Sequence, residues 1–335
     1  MARLLINLLL MLFLSVGAAP SALAAQTADS LAAMRALDVR VAAVGHRLAL
    51  ASLDWCAERA WLPGFVIHDL SQYGADYRAD AARTFGLDAG PGVLALVPGG
   101  PAERAGLRTD DILLALDGRP VPRGTPGRDG SFEQMERILA ALDEALVDGR
   151  VALQVQRAGQ RFIIEVEAVR GCATRFQLVP GGRMNAQADG IYVQVTTALA
   201  QYAADETELA AILAHEFAHN VLGHRVRLNR AGVRRGLLAN FGMNARRIRE
   251  TEVEADRMSV YLMERAGYDP MGAVRFWSRF GRRGFNFLGS PTHPNWRLRV
   301  RSFEEEVAKI RAARAAGGAP APDFVTLPVT VPPSG

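Results

Sequence analysis

Two imidazoles and a carboxylate stand in the order His215-Glu216-Phe217-Ala218-His219. On an α-helix, residues four apart are neighbours on one face, about 5–6 Å apart at Cβ; on a strand they would lie about 13 Å apart. If both histidines grip one ion, this stretch must therefore be helical, and the segment Glu206 to Val226 reads as that helix. A catalytic zinc takes three protein ligands and keeps one position for water. His215 and His219 supply two of them, and Glu216, one position on, reaches the water. The segment Glu252-Val253-Glu254-Ala255-Asp256, on a second helix over Glu252 to Ala266, can supply the third. Glu252 and Asp256 share a helical face, whereas Glu254 points elsewhere and is the weaker candidate. His224 falls off the metal face by helical angle and reads as structural, as do the isolated His46 and His68.

The chain is long enough, at 335 residues, for two compact units. Met1-Ala2-Arg3, the apolar run Leu4 to Val16 and Ala22-Leu23-Ala24 read as a signal peptide cleaved after Ala24, which places the mature protein in the periplasm. An uncleaved anchor is the alternative. The two cysteines, Cys56 and Cys172, are then expected to form a disulfide, the alternative being two buried thiols. A net charge of +4 does not point to nucleic acid. Arg225, Arg227, Arg230, Arg234, Arg235, Arg246, Arg247 and Arg249 crowd the stretch after the motif. They read as a solvated helical surface or as a contact with anionic lipid headgroups.

The expected organisation is a signal peptide over 1–24, a helical region over 25–88, a β-rich module over 89–170, a metal-binding domain over 171–315 and an extended Ala/Pro-rich tail over 316–335. The helical region has an apolar rhythm at Leu37, Val41, Val44 and Leu48. In the module, "GPAERAGLRTDDILLALDGRPV" resembles the central signature of PDZ domains attached to periplasmic proteases. Such domains add an extended peptide to a sheet edge and capture its carboxylate with backbone amides. The resemblance places capture at Gly90, Pro91, Gly92 and Val93; the alternative is a rigid spacer.

"HEFAH", "EVEAD" and "SPTHP", in that order, resemble metallopeptidase family forty-eight, the HtpX- and BepA-like gluzincins related to the prenyl-protein protease. The resemblance implies an α+β fold: a mostly helical zincin-type domain with a small sheet, beside the β-rich PDZ-like module. It implies one zinc ion per chain, with Glu252 as third ligand and Asp256 accepting a hydrogen bond from a ligating histidine. His293 would stabilise the oxyanion or plug the metal as a latent fourth ligand. Asn185, in Asn185-Ala186-Gln187-Ala188, would hydrogen-bond substrate or intermediate. A substrate strand is expected to pair with a sheet edge near Ile191 to Val195.

These roles make the chain an expected exported zinc metalloendopeptidase of unfolded or misassembled envelope polypeptides, with the PDZ-like module binding tails or gating access. Glu216 would take a proton from the attacking water and deliver it to the leaving amine. The alternative is a peptide-binding chaperone or adaptor whose zinc site is latent.

Overall fold

The computed structural model describes residues 20–233, 242–283 and 295–324. The apolar run of the leader, Arg234, Arg235, Ser290 to Pro294 with His293, and the last residues of the tail lie outside them. The fold is α+β. Helix α1 (Pro20–Ala51) turns Leu37, Val41, Val44 and Leu48 into the core, in the predicted rhythm. It stops at Ala51, and a 3-10 turn over Leu53–Trp55 follows.

The module comprises β1 (Arg59–Leu62), β2 (Phe65–His68), α2 (Ala75–Phe85), β3 (Gly92–Leu96), α3 (Pro101–Arg104), β4 (Ile112–Leu116), β5 (Arg119–Pro120), α4 (Glu133–Ala145), β6 (Arg150–Arg157) and β7 (Gln160–Glu167). Its six-stranded sheet runs β2-β3-β4-β6-β7, with β5 on β4. Val93, Leu113, Met135, Ile138, Leu153 and Val155 form its separate core.

Two expectations fail here. The first strand of the sheet, β2, comes from the segment read as helical, so the module begins before residue 89. Four residues between Pro63-Gly64 and Asp69 are too short a run for periodicity to reveal. Nor can Gly90 to Val93 take up a peptide strand. Gly92 and Val93 lie in β3, which is paired with β2 on one side and β4 on the other. The Pro91 carbonyl accepts from Leu113, and the Gly90 amide donates to Leu87. The outer strand on that side of the sheet is β2.

The chain then runs through β8 (Val169–Cys172), β9 (Arg175–Val179), β10 (Ala186–Ala188), β11 (Tyr192–Thr196), α5 (Thr197–Tyr202), α6 (Glu206–Val221), α7 (His224–Arg230), α8 (Gly242–Arg265), α9 (Met271–Arg282) and α10 (Trp296–Ala315). Strands β1 and β8 form an antiparallel ribbon at the entrance and exit of the module. Cys56 and Cys172 are disulfide-bonded beside it, with Cα atoms 5.6 Å apart. The second sheet runs β10-β11-β9, so β11 is its central strand. The expected substrate edge near Ile191 to Val195 is therefore occupied on both sides, and the free edge nearest α6 belongs to β10. Helices α6, α8, α9 and α10 pack with α1 around Phe217, Met258, Phe276 and Phe303. The described part of the tail is docked rather than extended: Arg257 lies 3.7 Å over the Phe324 ring, and Lys309 meets Asp323 at 3.2 Å.

Candidate metal centre

Helix α6 begins where Asp205, in extended backbone, accepts a hydrogen bond from the Glu208 amide at 2.8 Å. That cap satisfies one of the amides a helix start leaves without a partner. Leu209, Leu213, Phe217 and Val221 bury one side of the helix and fix its rotation. His215 and His219 are thereby turned towards α8, which packs along α6 and brings Glu252 opposite them. His215 Nε2 lies 3.4 Å from Glu252 Oε2, and His219 Nε2 lies 3.6 Å from Glu252 Oε1. One ligand atom from each of the three residues falls within 4.8 Å of the others.

These separations fit a metal. Tetrahedral zinc with bonds of about 2.0–2.1 Å holds its ligand atoms roughly 3.3–3.4 Å apart. Both imidazoles offer Nε2, and the donor set of two nitrogens and a carboxylate oxygen suits that ion. Among the described residues this is the one such cluster of three or more ligating side chains.

Asp256, one turn beyond Glu252, stands 3.0 Å from His215 Nδ1. Arg299 Nε donates to Asp256 Oδ2 at 2.8 Å, and its guanidinium lies 3.4 Å over the Trp277 ring. Burial opposes the Asp256 charge, but Arg299 and His215 outweigh it and hold the carboxyl below its usual range. Burial would likewise lower His215, yet hydrogen bonds to Asp256 and Glu252 raise it to about 10. For His219 burial outweighs the pull of the nearby Glu252 carboxylate and takes it down to about 3. Burial pushes Glu216 up to about 7, against the pull of His215 and with Glu252 adding to the rise. Glu216, Glu252 and Asp256 thus concentrate negative charge where a cation would relieve it.

The structure brings His215, Glu216, His219, Glu252 and Asp256 together. Asn185 sits at the head of β10; its amide donates to Thr196 Oγ1 at 3.1 Å and its carbonyl accepts from the Thr196 amide. The Trp277 ring, 6.0 Å from the His215 ring, carried no sequence signal. His224, read as structural, is a contact of the site. The motif helix does not run to Val226 but ends at Val221, and Gly223 adopts the left-handed conformation (φ 60°). Helix α7 then returns His224 to within 2.9 Å of His219, Nδ1 to Nδ1. An unbroken helix would have carried it away.

The sequence was compared with known families and proteins. Residues 150–246 and 235–307 match the model of peptidase family M48, and residues 92–157 match that of the PDZ domain. The chain carries a peptidase family M48 domain. This M48 chain is 28 % identical to the mitochondrial metalloendopeptidase OMA1 of Schizosaccharomyces pombe over 172 residues, 45 % of this chain and 48 % of that protein. It is 25 % identical to the beta-barrel assembly-enhancing protease of Yersinia pestis over 231 residues, 57 % of this chain and 47 % of that protein. A shorter match, 38 % identical over 77 residues, joins it to the putative serine protease HhoA of Synechocystis, with 21 % of this chain and 18 % of that protein covered. The chain spans about half the length of the two metallopeptidase relatives.

Proposed function

We propose that this M48 chain is a zinc-dependent metalloendopeptidase of unfolded or misassembled polypeptides in the bacterial envelope. The observation that carries the reading is the placement of His215 Nε2 and His219 Nε2 3.4 and 3.6 Å from the Glu252 carboxylate. Those three residues would hold the ion. Zinc bound there supplies an electrophile that acidifies water and polarises a peptide carbonyl. Glu216, its carboxyl raised to about 7 by burial, is the base that takes a proton from the attacking water and returns it to the leaving amine. Asp256 keeps the His215 ring in place. A substrate strand would extend the sheet at β10, with Asn185 at the head of that edge. His293 is kept as the second partner for the oxyanion or as a plug on the metal.

The peptide groove of the PDZ domain is proposed between β2 and α4, replacing the loop at Gly90 to Val93. Phe65, Ile67, Met135, Leu139 and Leu142 line one part of a cleft of about 1430 Å³ that continues past α1 and β1 to β9 and α7. β2 is one of the two outer strands of its sheet, with a backbone edge a peptide can join. Export and an envelope role rest on the leader-like N-terminus and on the printed name of one relative, a beta-barrel assembly-enhancing protease. Among the described residues, no helix is long and apolar enough to cross a membrane.

Cleavage of unfolded casein, with zinc removed by a chelator and then restored, tests the reading. Activity lost and regained with the ion supports it. Stoichiometric zinc with no cleavage would instead favour the adaptor alternative.

A further inference from the structure

Beyond His219 the hydrogen-bonded chain continues. His224 is 1 % exposed; its Nδ1 lies 2.9 Å from His219 Nδ1 and its Nε2 3.0 Å from Glu254 Oε2. Glu254, on α8, is paired through both oxygens with Arg227 of α7. We propose that His224 and Glu254 are positioning residues that lock His219 in the tautomer whose Nε2 lone pair is free for the metal.

The proton inventory leads to that assignment. A carboxylate paired with a guanidinium only accepts hydrogen bonds, so the proton between His224 and Glu254 belongs to His224 Nε2. A neutral His224 then has a bare Nδ1 and can only accept. The proton between the two Nδ1 atoms is therefore carried by His219. A neutral ring with Nδ1–H has its lone pair on Nε2, the atom facing Glu252. The opposite assignment, with His224 donating, would put the ring proton of His219 on Nε2 and block it as a ligand.

His215 obtains the same tautomer from Asp256 directly, at 3.0 Å. For His219 the acceptor is reached through an inserted imidazole, because the turn at Gly223 places His224 between α6 and α8. Outer partners of ligating histidines typically contribute 10- to 100-fold in metal affinity.

The inference rests on the metal-centre reading, and zinc affinity, measured by competition with a chromophoric chelator, separates the two. For His224→Phe, affinity is expected to fall 10- to 100-fold. For His224→Gln, whose carboxamide can accept from His219 and donate to Glu254, it should stay within about threefold of wild type. Should His224→Phe fail to fold, Glu254→Ala, at a side chain 26 % exposed, carries the test, with a several-fold loss expected. Wild-type zinc affinity in the folded variants, whatever their melting temperature, would overturn the positioning role. A wild-type protein that does not bind zinc would overturn the metal centre itself.

Discussion

Arg299 and Asp256 form an ion pair inside the M48 domain, with side chains 1 % and 2 % exposed. The same carboxylate receives His215. Asp256→Asn would leave the Arg299 charge without its counter-ion, and removing one partner of a buried pair costs about 3–5 kcal/mol. Urea unfolding of the metal-free protein should show that loss. Zinc affinity should fall about 10- to 100-fold as well, because a carboxamide has one oxygen to serve both Arg299 and His215. A variant with unchanged stability would contradict the pairing.

The ladder between β10 and β11 uses the Asn185 carbonyl and the Asp189 amide, so the backbone of Ala186 and Ala188 faces outward. Ala188→Pro removes one outward amide without breaking that ladder. If substrate adds to this edge, kcat/KM for a polypeptide should drop at least about tenfold, roughly one lost hydrogen bond, while zinc affinity holds. Equal turnover would place the substrate elsewhere.

How much of this was legible beforehand follows from the range of each signal. The motif, its partners on α8 and the buried stripe of α1 are local patterns with helical period, and the residues announced them. The disulfide followed from an even cysteine count. The outer position of β2, the central position of β11 and the return of His224 depend on which strands meet and on one left-handed glycine, Gly223. Strand pairing leaves no trace within a few residues of β2 or β11, whereas Gly223, a helix-stopping residue beside His224, is a local signal for its return. The expected capture loop at Gly90 to Val93 fails for the same reason, since β2 pairs along that edge.

A second buried cluster gives a pH test. Burial, with Arg35 nearby, lowers His68 to about 3 from an ordinary 6.5. Burial raises Asp38 to about 7 from 3.8, against the pull of Arg35. The unfolded chain protonates His68 first, so its contribution is present above pH 6.5 and is lost as pH falls towards 3. Asp38 acts oppositely: the unfolded chain ionises first, and stability is lost as pH rises from 3.8 through about 7. The two slopes offset each other in the wild type. Asp38→Asn should unmask the histidine, with stability falling about 1.4 kcal/mol per pH unit below 6.5 relative to wild type. His68→Gln should give the reverse slope, and guanidinium unfolding at several pH values reads both.

The most direct test of the central claim is the turnover of unfolded casein by zinc-loaded Glu216→Gln beside the wild type. The substitution removes the base and leaves His215, His219 and Glu252 in place, so zinc should remain bound while kcat falls by about 10²- to 10⁴-fold. Equal turnover by the two proteins would contradict the assignment of Glu216 and the hydrolytic centre built around it.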